Sequence, residues 1–397
     1  MVNENKSIIN HQSLIIRLLF LLFLVFPFGQ LFKLSILPSV NLHALDLVCL
    51  LLSLSFVFSI KSSYKWPALT KPLVSFWILA AFSWIVAATN YGFRESLTAL
   101  LYLLRFIVYS SLYFVVDWML KKEKDLQEKL VSGLLVVGAS ISIFGLLQYL
   151  FYPDIRALKE FGWDPHLYRL FGTFIDPAFT GILIVFYLLL LLSLALNRGF
   201  KKIYIPQLLI GLSALYLTYS RASYLAFLAG LTAILITKGK IKVLLICASL
   251  FVALLFLLPR TEGIGTRLER VSTIAMRLEN YKETLSVISK TPLFGVGFNF
   301  YRYAAGKNLD THSGAGAVSS LLFVFATTGI VGLLVYLGLW FKILYQAWPG
   351  RKSEQGVALF SSAIAVIAHS TFSNTLFYPW VLVWLGILMG LQIKERK

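Results

Sequence analysis

Cysteine is nearly absent: Cys49 and Cys247 are the two in the chain, and both lie inside apolar runs. That placement excludes a disulfide framework and a thiolate zinc site. Charge is scarce too, at 14% of residues against 58% hydrophobic, with a mean hydropathy of +0.78. A soluble domain is about half apolar, so a soluble enzyme is excluded. Acids are the rarer charge, 18 against 36 Lys and Arg. They are few and scattered in the loops, with no DXD-like pair, which leaves a divalent-cation site little support. Also missing are a Ser-His-Asp set, a phosphate-cradling glycine loop, paired carboxylates, an internal repeat, an inverted pair of broken helices and any low-complexity segment.

What remains is apolar sequence in runs close to the ~20 residues that cross a bilayer. Twelve are read: 16 to 36, 42 to 60, 73 to 89, 96 to 118, 130 to 151, 175 to 196, 203 to 219, 222 to 237, 243 to 259, 319 to 345, 356 to 373 and 378 to 392. The first is flanked by Lys6 and Arg17 as a signal peptide would be, but no small-residue cleavage site follows, so it is kept as a helix. The expected fold is an all-α polytopic membrane protein: helices one to nine over 1–259 with a smaller outer loop at 152–174, a large loop at 260–318, and three more helices with a tail over 319–397.

The formal charge of +18 has a topological explanation. Half of the 36 basic residues sit in alternate turns: Lys61, Lys65 and Lys71; Lys121, Lys122, Lys124 and Lys129; Arg198, Lys201 and Lys202; Lys238, Lys240 and Lys242; Arg351 and Lys352; Lys394, Arg396 and Lys397. The intervening turns 37 to 41, 90 to 95 and 374 to 377 carry only Arg94. The lysine-rich turns and both termini are therefore expected in the cytoplasm. No basic, aromatic-interleaved domain exists, and nucleic-acid binding is not needed to explain the charge.

Two outward connections break the pattern. One is 152 to 174; the other, 260 to 318, spans 59 residues with eight Lys or Arg against five acids. Net positive charge beside a membrane suits an anionic headgroup or a diphosphate, although long loops also escape the positive-inside bias. In the long loop Ile274, Leu278, Tyr281, Leu285 and Ile288 recur at helical spacing, which predicts an amphipathic helix on the membrane surface. Arg270 and Arg277 project roughly 40 to 60° from the centre of that stripe, at headgroup level. Thr291, Pro292, Gly295 and Gly297 end the helix in a turn whose backbone a ligand could approach closely.

Three residues carry separate arguments. Arg105 lies within LLYLLRFIVYSSLYF, where a charge costs at least about 2.5 to 3.5 kcal/mol, so it faces a polar cavity or a partner, or anchors helix packing. Arg221 opens a span beside Tyr219, Ser220 and Ser223; its fork matches phosphate oxygens, and an interfacial anchor is the alternative. His312, directly before the tenth span, is either a base or phosphate-binding cation, or a solvated loop histidine.

Taken as an ordered set, four stretches resemble the O-antigen ligase/polymerase family of bacterial envelope polysaccharide enzymes: YRLFGTFIDPAFTG at 168 to 181, YSRASYLAFLAG, RLENYKETLSVISKTPLFGVGFNFY at 277 to 301, and His312 followed by LLFVFATTGIVGLLVYL. In the family the histidine is commonly followed by Asn; here Ser313 follows, and Gly329 is seventeen residues on. The resemblance implies a GT-C-like glycosyltransferase of the bacterial inner membrane. Its implied donor is an undecaprenyl-diphosphate-linked glycan, handled on the outer face with inversion and without metal or other cofactor. The implied acceptor is lipid A core or another glycan for a ligase, or a second lipid-linked repeat for a polymerase. Carried over by position, Arg221 and Arg277 would hold the diphosphate and His312 would assist acceptor activation or phosphate binding, as the catalytic set; Arg105, Arg169, Arg270, Tyr281, Gly295 and Gly297 are, from their own placement, the candidate substrate contacts. A transporter of a lipid-linked or anionic solute is the competing class; repeated halves and broken midplane helices would speak for it.

Overall fold

In a computed structural model the chain is described over residues 2–37, 40–123, 125–259, 263–306, 316–348 and 353–392. The elements in order are α1 (Val2–Val25), β1 (Lys33–Leu37), β2 (Val40–His43), α2 (Ala44–Ser59), α3 (Thr70–Ala88), α4 (Phe93–Lys122), α5 (Leu126–Phe151) and α6 (Pro177–Arg198). They continue with α7 (Tyr204–Leu217), α8 (Arg221–Thr237), α9 (Ile241–Phe256), α10 (Ser272–Lys290), α11 (Tyr301–Ala304), α12 (Ser320–Ala347), α13 (Glu354–Ser370) and α14 (Pro379–Gln392). Each of the twelve apolar runs overlaps one helix. Among the described residues five of these helices, α3, α4, α5, α6 and α12, are long and apolar enough to cross a bilayer, and six shorter apolar helices accompany them. Together they make a helical, multi-pass membrane protein.

Helix α6 is the axis. Its sequence, PAFTGILIVFYLLLLLSLALNR, is apolar on every side and most of it is buried, as expected of a helix with neighbours all round. It packs against α5, α7, α8 and α13, while α14 packs on α4. Asp176 caps its start, with Pro177 at the first helical position. At its other end Arg198 pairs with Glu128 at 2.7 Å and with Glu354, at the lysine-rich end of the bundle.

Two expectations need correction. The first apolar run does not continue as helix to residue 36: α1 stops at Val25, and Lys33–Leu37 pairs antiparallel with Val40–His43, Lys33 opposite His43. The alternation Lys33, Leu34, Ser35, Ile36 has the period of a strand, and this hairpin sits on an otherwise helical fold. The tenth run is not one unbroken span either. Helix α12 is interrupted at Gly329 (φ 67°, ψ −171°), a conformation essentially open to glycine alone.

The interruption is filled by the turn after α10. Val296 N donates to Ala326 O (2.8 Å), Gly297 N to Thr327 O (3.1 Å) and Ile330 N to Pro292 O (2.9 Å), and Ser83 Oγ adds a bond to Thr327 O at 2.6 Å. The carbonyls and amides freed by the break are thus satisfied inside the protein, as membrane depth requires. A Cβ on Gly329 would lie 2.1 Å from Leu293 O. Gly329→Ala is therefore expected to expel the turn and destabilise the fold by about 3 kcal/mol or more, read as a lowered unfolding temperature in detergent by tryptophan fluorescence. An unchanged temperature would mean that the turn is not held by this contact.

Helix α10 forms where the periodicity places it. Asn280, Thr284, Val287 and Ile288 are its buried face, whereas Ile274, Leu278 and Leu285 are exposed. Most of the predicted stripe thus points away from the protein, as a helix resting on lipid would present it.

Candidate active site

The end of the bundle away from the lysine-rich turns gathers the start of α6, the α7–α8 turn, α10 and the α13–α14 turn. Helix α7 stops at Leu217 and Ser220 caps α8 by accepting from Ser223 N. Between them Tyr219 is forced to φ 50°. The 152–174 segment is stitched to this turn by Leu170 N donating to Leu217 O at 2.7 Å, and Gln148 Oε1 accepts from Phe171 N and Gly172 N at 2.9 and 3.0 Å.

This scaffold draws four arginines together. Arg169 donates through Nε to Thr218 O (3.0 Å) and through Nη2 to Tyr219 O (3.3 Å). Arg270 reaches the same Tyr219 carbonyl at 3.2 Å and also the carbonyls of Gly265 and Arg267, both at 2.7 Å. Arg221 donates to the carbonyls of Leu268 (3.1 Å) and Arg270 (3.0 Å) and to Thr273 Oγ1 (2.5 Å). Arg277 lies over the Phe372 ring, 5.7 Å from its centroid, and no described group accepts a hydrogen bond from it. Tyr281, one turn on, donates its hydroxyl to Thr371 O.

None of the four is ion-paired among the described residues. Burial, and then Arg270 beside it, holds Arg169 down to about 10; burial followed by Arg221 and Arg277 does the same to Arg270. Arg277 is lowered by burial and by Arg221. The cluster is a concentration of positive charge without an ion pair among the described residues, which an anion of two or more charges would relieve.

An acid that acts on two of these arginines, Arg169 and Arg277, is Asp176. Its Oδ1 caps α6, accepting from Ala178 N (2.6 Å) and Phe179 N (2.9 Å). No described group donates to Oδ2, and Asp176 lines a cavity of about 390 Å³. Burial raises its carboxyl, with the Phe179 amide and then Asp164 acting next, the amide downward and Asp164 upward. The residue before it, Ile175, has φ 57°, a real outlier for a β-branched side chain and of the kind that collects at functional sites. Asn299, at φ 63°, also lines the cavity.

Aromatic walls and polar points alternate in this cavity. Phe179 stacks on Tyr378 with ring centroids 4.0 Å apart, and Trp163 and Trp380 stand beside them. Asn374 Oδ1 is buried there with no partner among the described residues. Arg105 lines the far wall but its charge is taken: Nε and Nη2 reach the two oxygens of Asp46 at 2.7 and 2.8 Å, and Nη2 the Asn41 carbonyl at 2.5 Å. Of the alternatives for Arg105, a partner is therefore what the structure shows, and the pair clamps the hairpin to α4.

The other sequence candidates divide. Arg221, Arg277, Arg169, Arg270 and Tyr281 converge. Gly295 and Gly297 do not join them: their Cβ positions would meet Thr327 backbone at 2.5 Å and the Ala87 side chain at 2.2 Å, so the close approach they permit is to protein. His312 lies outside the described residues; Arg302 and Gly316 on either side of that stretch both line the cavity, and Asn280 Nδ2 holds Gly316 O at 3.2 Å.

Asp176, Asn374 and His369 were not singled out from sequence. His369, buried in α13, places Nδ1 2.7 Å from Thr375 Oγ1 and Nε2 3.3 Å from Ser223 Oγ. An ionisable residue inside an apolar run is itself a signal of function, and that signal was available.

His166 is buried beside Phe171, and its Nε2 has no partner among the described residues. Burial, then Arg169 and Arg270, hold it down to about 3 from the usual 6.5. A group depressed on folding stabilises above its unfolded value, and that contribution is lost as pH falls. His166→Phe is expected to shrink the loss of thermal stability between pH 6.5 and 3. An unaltered acid limb would show that another group controls it.

Apolar helices, an aromatic cavity and an arginine cluster together define a multi-pass membrane protein with concentrated positive charge at one end of its bundle. A scan against family models matches residues 207–337, about a third of the chain, to the O-antigen ligase family, which supports the resemblance read from the sequence. The matched stretch contains Arg221, Arg270, Arg277 and Tyr281, while Arg169 and Asp176 lie before it. A search of curated proteins finds no match to the chain.

Proposed function

We propose that the protein is an O-antigen ligase-like glycosyltransferase of the bacterial inner membrane, moving a glycan from undecaprenyl diphosphate to a lipid A core or other surface acceptor on the outer face. The observation that carries the proposal is the set of four arginines, without an ion pair among the described residues, near an aromatic cavity lined by the carboxylate of Asp176. A diphosphate supplies the missing negative charge, and sugar rings suit stacked aromatic walls flanked by single polar groups. The site sits where an outer-leaflet carrier would present its headgroup under the expected topology.

In this reading the donor diphosphate rests against Arg277, Arg221 and Arg270, with Arg169 behind them. An acceptor hydroxyl in the cavity attacks the anomeric carbon from the face opposite the C1–O–P bond. As the new C–O bond forms the old one breaks, and its electron pair leaves on the diphosphate, where the arginines stabilise it. The hydroxyl proton passes to the carboxylate of Asp176, which lines the cavity. The chemistry needs no metal, and configuration inverts once.

The test is transfer by purified protein from a synthetic undecaprenyl-diphosphate oligosaccharide, in EDTA, offered lipid A core or a second donor molecule. Glycan on lipid A core establishes the ligase. Elongated lipid-linked glycan makes the protein a polymerase of the same family. Absence of product together with movement of the donor across liposomes would make it a transporter and end the enzymatic reading.

A further inference from the structure

At the opposite end of the bundle, the second half of α2, the start of α3 and the second half of α4 enclose a groove of about 660 Å³. Its walls include Phe56, Trp66, Val74, Trp77 and Phe114, and among the described residues Lys71 is the one charged side chain lining it. The hydroxyls of the walls and the Trp77 indole are bonded within the protein. Ser53 Oγ donates to Cys49 O at 2.8 Å and lies 2.8 Å from Ser111 Oγ, and Trp77 Nε1 donates to Ser110 Oγ at 3.0 Å. The interior therefore offers nothing to a polar ligand and much to a hydrocarbon chain.

The mouth has the opposite character. Lys71 is exposed, and Lys61 and Lys65 lie in the same turn. Lys121 Nζ crosses to Lys65 O at 2.8 Å and carries a further positive charge to this edge. Asp117, the acid beside it, is already bound by Lys121 at 2.6 Å and by the Tyr64 hydroxyl. Trp66, 55% exposed, stands where an interfacial tryptophan would. The positive-inside rule places this lysine-rich end at the cytoplasmic leaflet, whose anionic lipids attract such clusters.

We propose that this groove is a binding site for an anionic phospholipid of the cytoplasmic leaflet, with one acyl chain between Trp66, Trp77 and Phe114 and the phosphate at Lys71. The site lies at the other end of the bundle from the arginine cluster and is independent of the transfer reaction.

Native mass spectrometry of the detergent-solubilised protein, given equimolar dioleoyl phosphatidylglycerol and dioleoyl phosphatidylcholine, tests this. The parent protein is expected to retain phosphatidylglycerol preferentially. Lys71→Gln should lower that preference about fivefold, the effect of one lysine at an anionic surface. Val74→Trp, which fills the groove, should lower retention of both lipids. Lys71 is exposed, so its variant is expected to fold and decides the matter even if Val74→Trp does not. Equal retention of the two lipids by the parent protein overturns the proposal, as does an unchanged preference in Lys71→Gln. Displacement of phosphatidylglycerol by equimolar undecaprenyl phosphate would also overturn it, because the groove would then hold a polyprenyl carrier.

Discussion

Arg277→Ala is expected to lower glycan turnover by about 10²- to 10³-fold, the effect of removing one donor aimed at developing negative charge, with little change in unfolding temperature. The contrast between the two readouts follows from its surroundings. Arg277 touches the Phe372 ring, and among the described residues none accepts a hydrogen bond from it, so its truncation removes no bond that ties these residues together. Arg221 differs: its guanidinium ties the Leu268–Thr273 segment to α8 through three bonds. Arg221→Ala should therefore lose activity and stability together. Arg277→Lys should recover only a small part of the rate, because a point charge cannot bind two phosphate oxygens as a planar fork does. Near-normal turnover by Arg277→Ala would remove the diphosphate from this site, and full activity of Arg277→Lys would reduce the requirement to charge alone.

The fold was legible in sequence wherever one segment decides the outcome. Apolar length fixes a helix locally because backbone polar groups in lipid must pair within the segment, and α10 was legible because its spacing is local. The hairpin at Lys33–His43 and the break at Gly329 were not. The first lies inside apolar sequence that reads equally as helix, and the second exists because the turn at Pro292–Gly297, some thirty residues earlier, supplies the replacement bonds. The same division holds at the site. Arginines stand out singly in apolar or outward sequence, so Arg221 and Arg277 could be named. Asp176 reads in sequence as a helix cap before proline, a role it does fill, and nothing local reveals that it lines a cavity and acts on Arg169 and Arg277. Arg105 shows the converse. Its charge inside an apolar run was conspicuous, and its partner Asp46, from a different helix, was not.

Asp176→Asn separates the two roles of that carboxylate. Asn caps a helix about as well as Asp, and the amide oxygen can replace Oδ1 as acceptor for Ala178 N and Phe179 N, so the variant should fold with an unfolding temperature near that of the parent. It cannot take a proton from the acceptor hydroxyl, and turnover should fall by about 10²- to 10⁴-fold. Asp176→Ala should lose the same activity and in addition about 1 kcal/mol of cap stability. The pH profile gives an independent sign. A base works only when deprotonated, and burial raises this carboxyl above its ordinary 3.8, so the parent's rate should fall on acidification at a pH above the usual carboxylate range. That limb should be missing from whatever residual rate Asp176→Asn retains. If Asp176→Asn turns over like the parent while Arg277→Ala does not, the diphosphate site stands and the proton goes elsewhere; the residues flanking His312, which open onto the same cavity, would then direct the next substitution to that histidine.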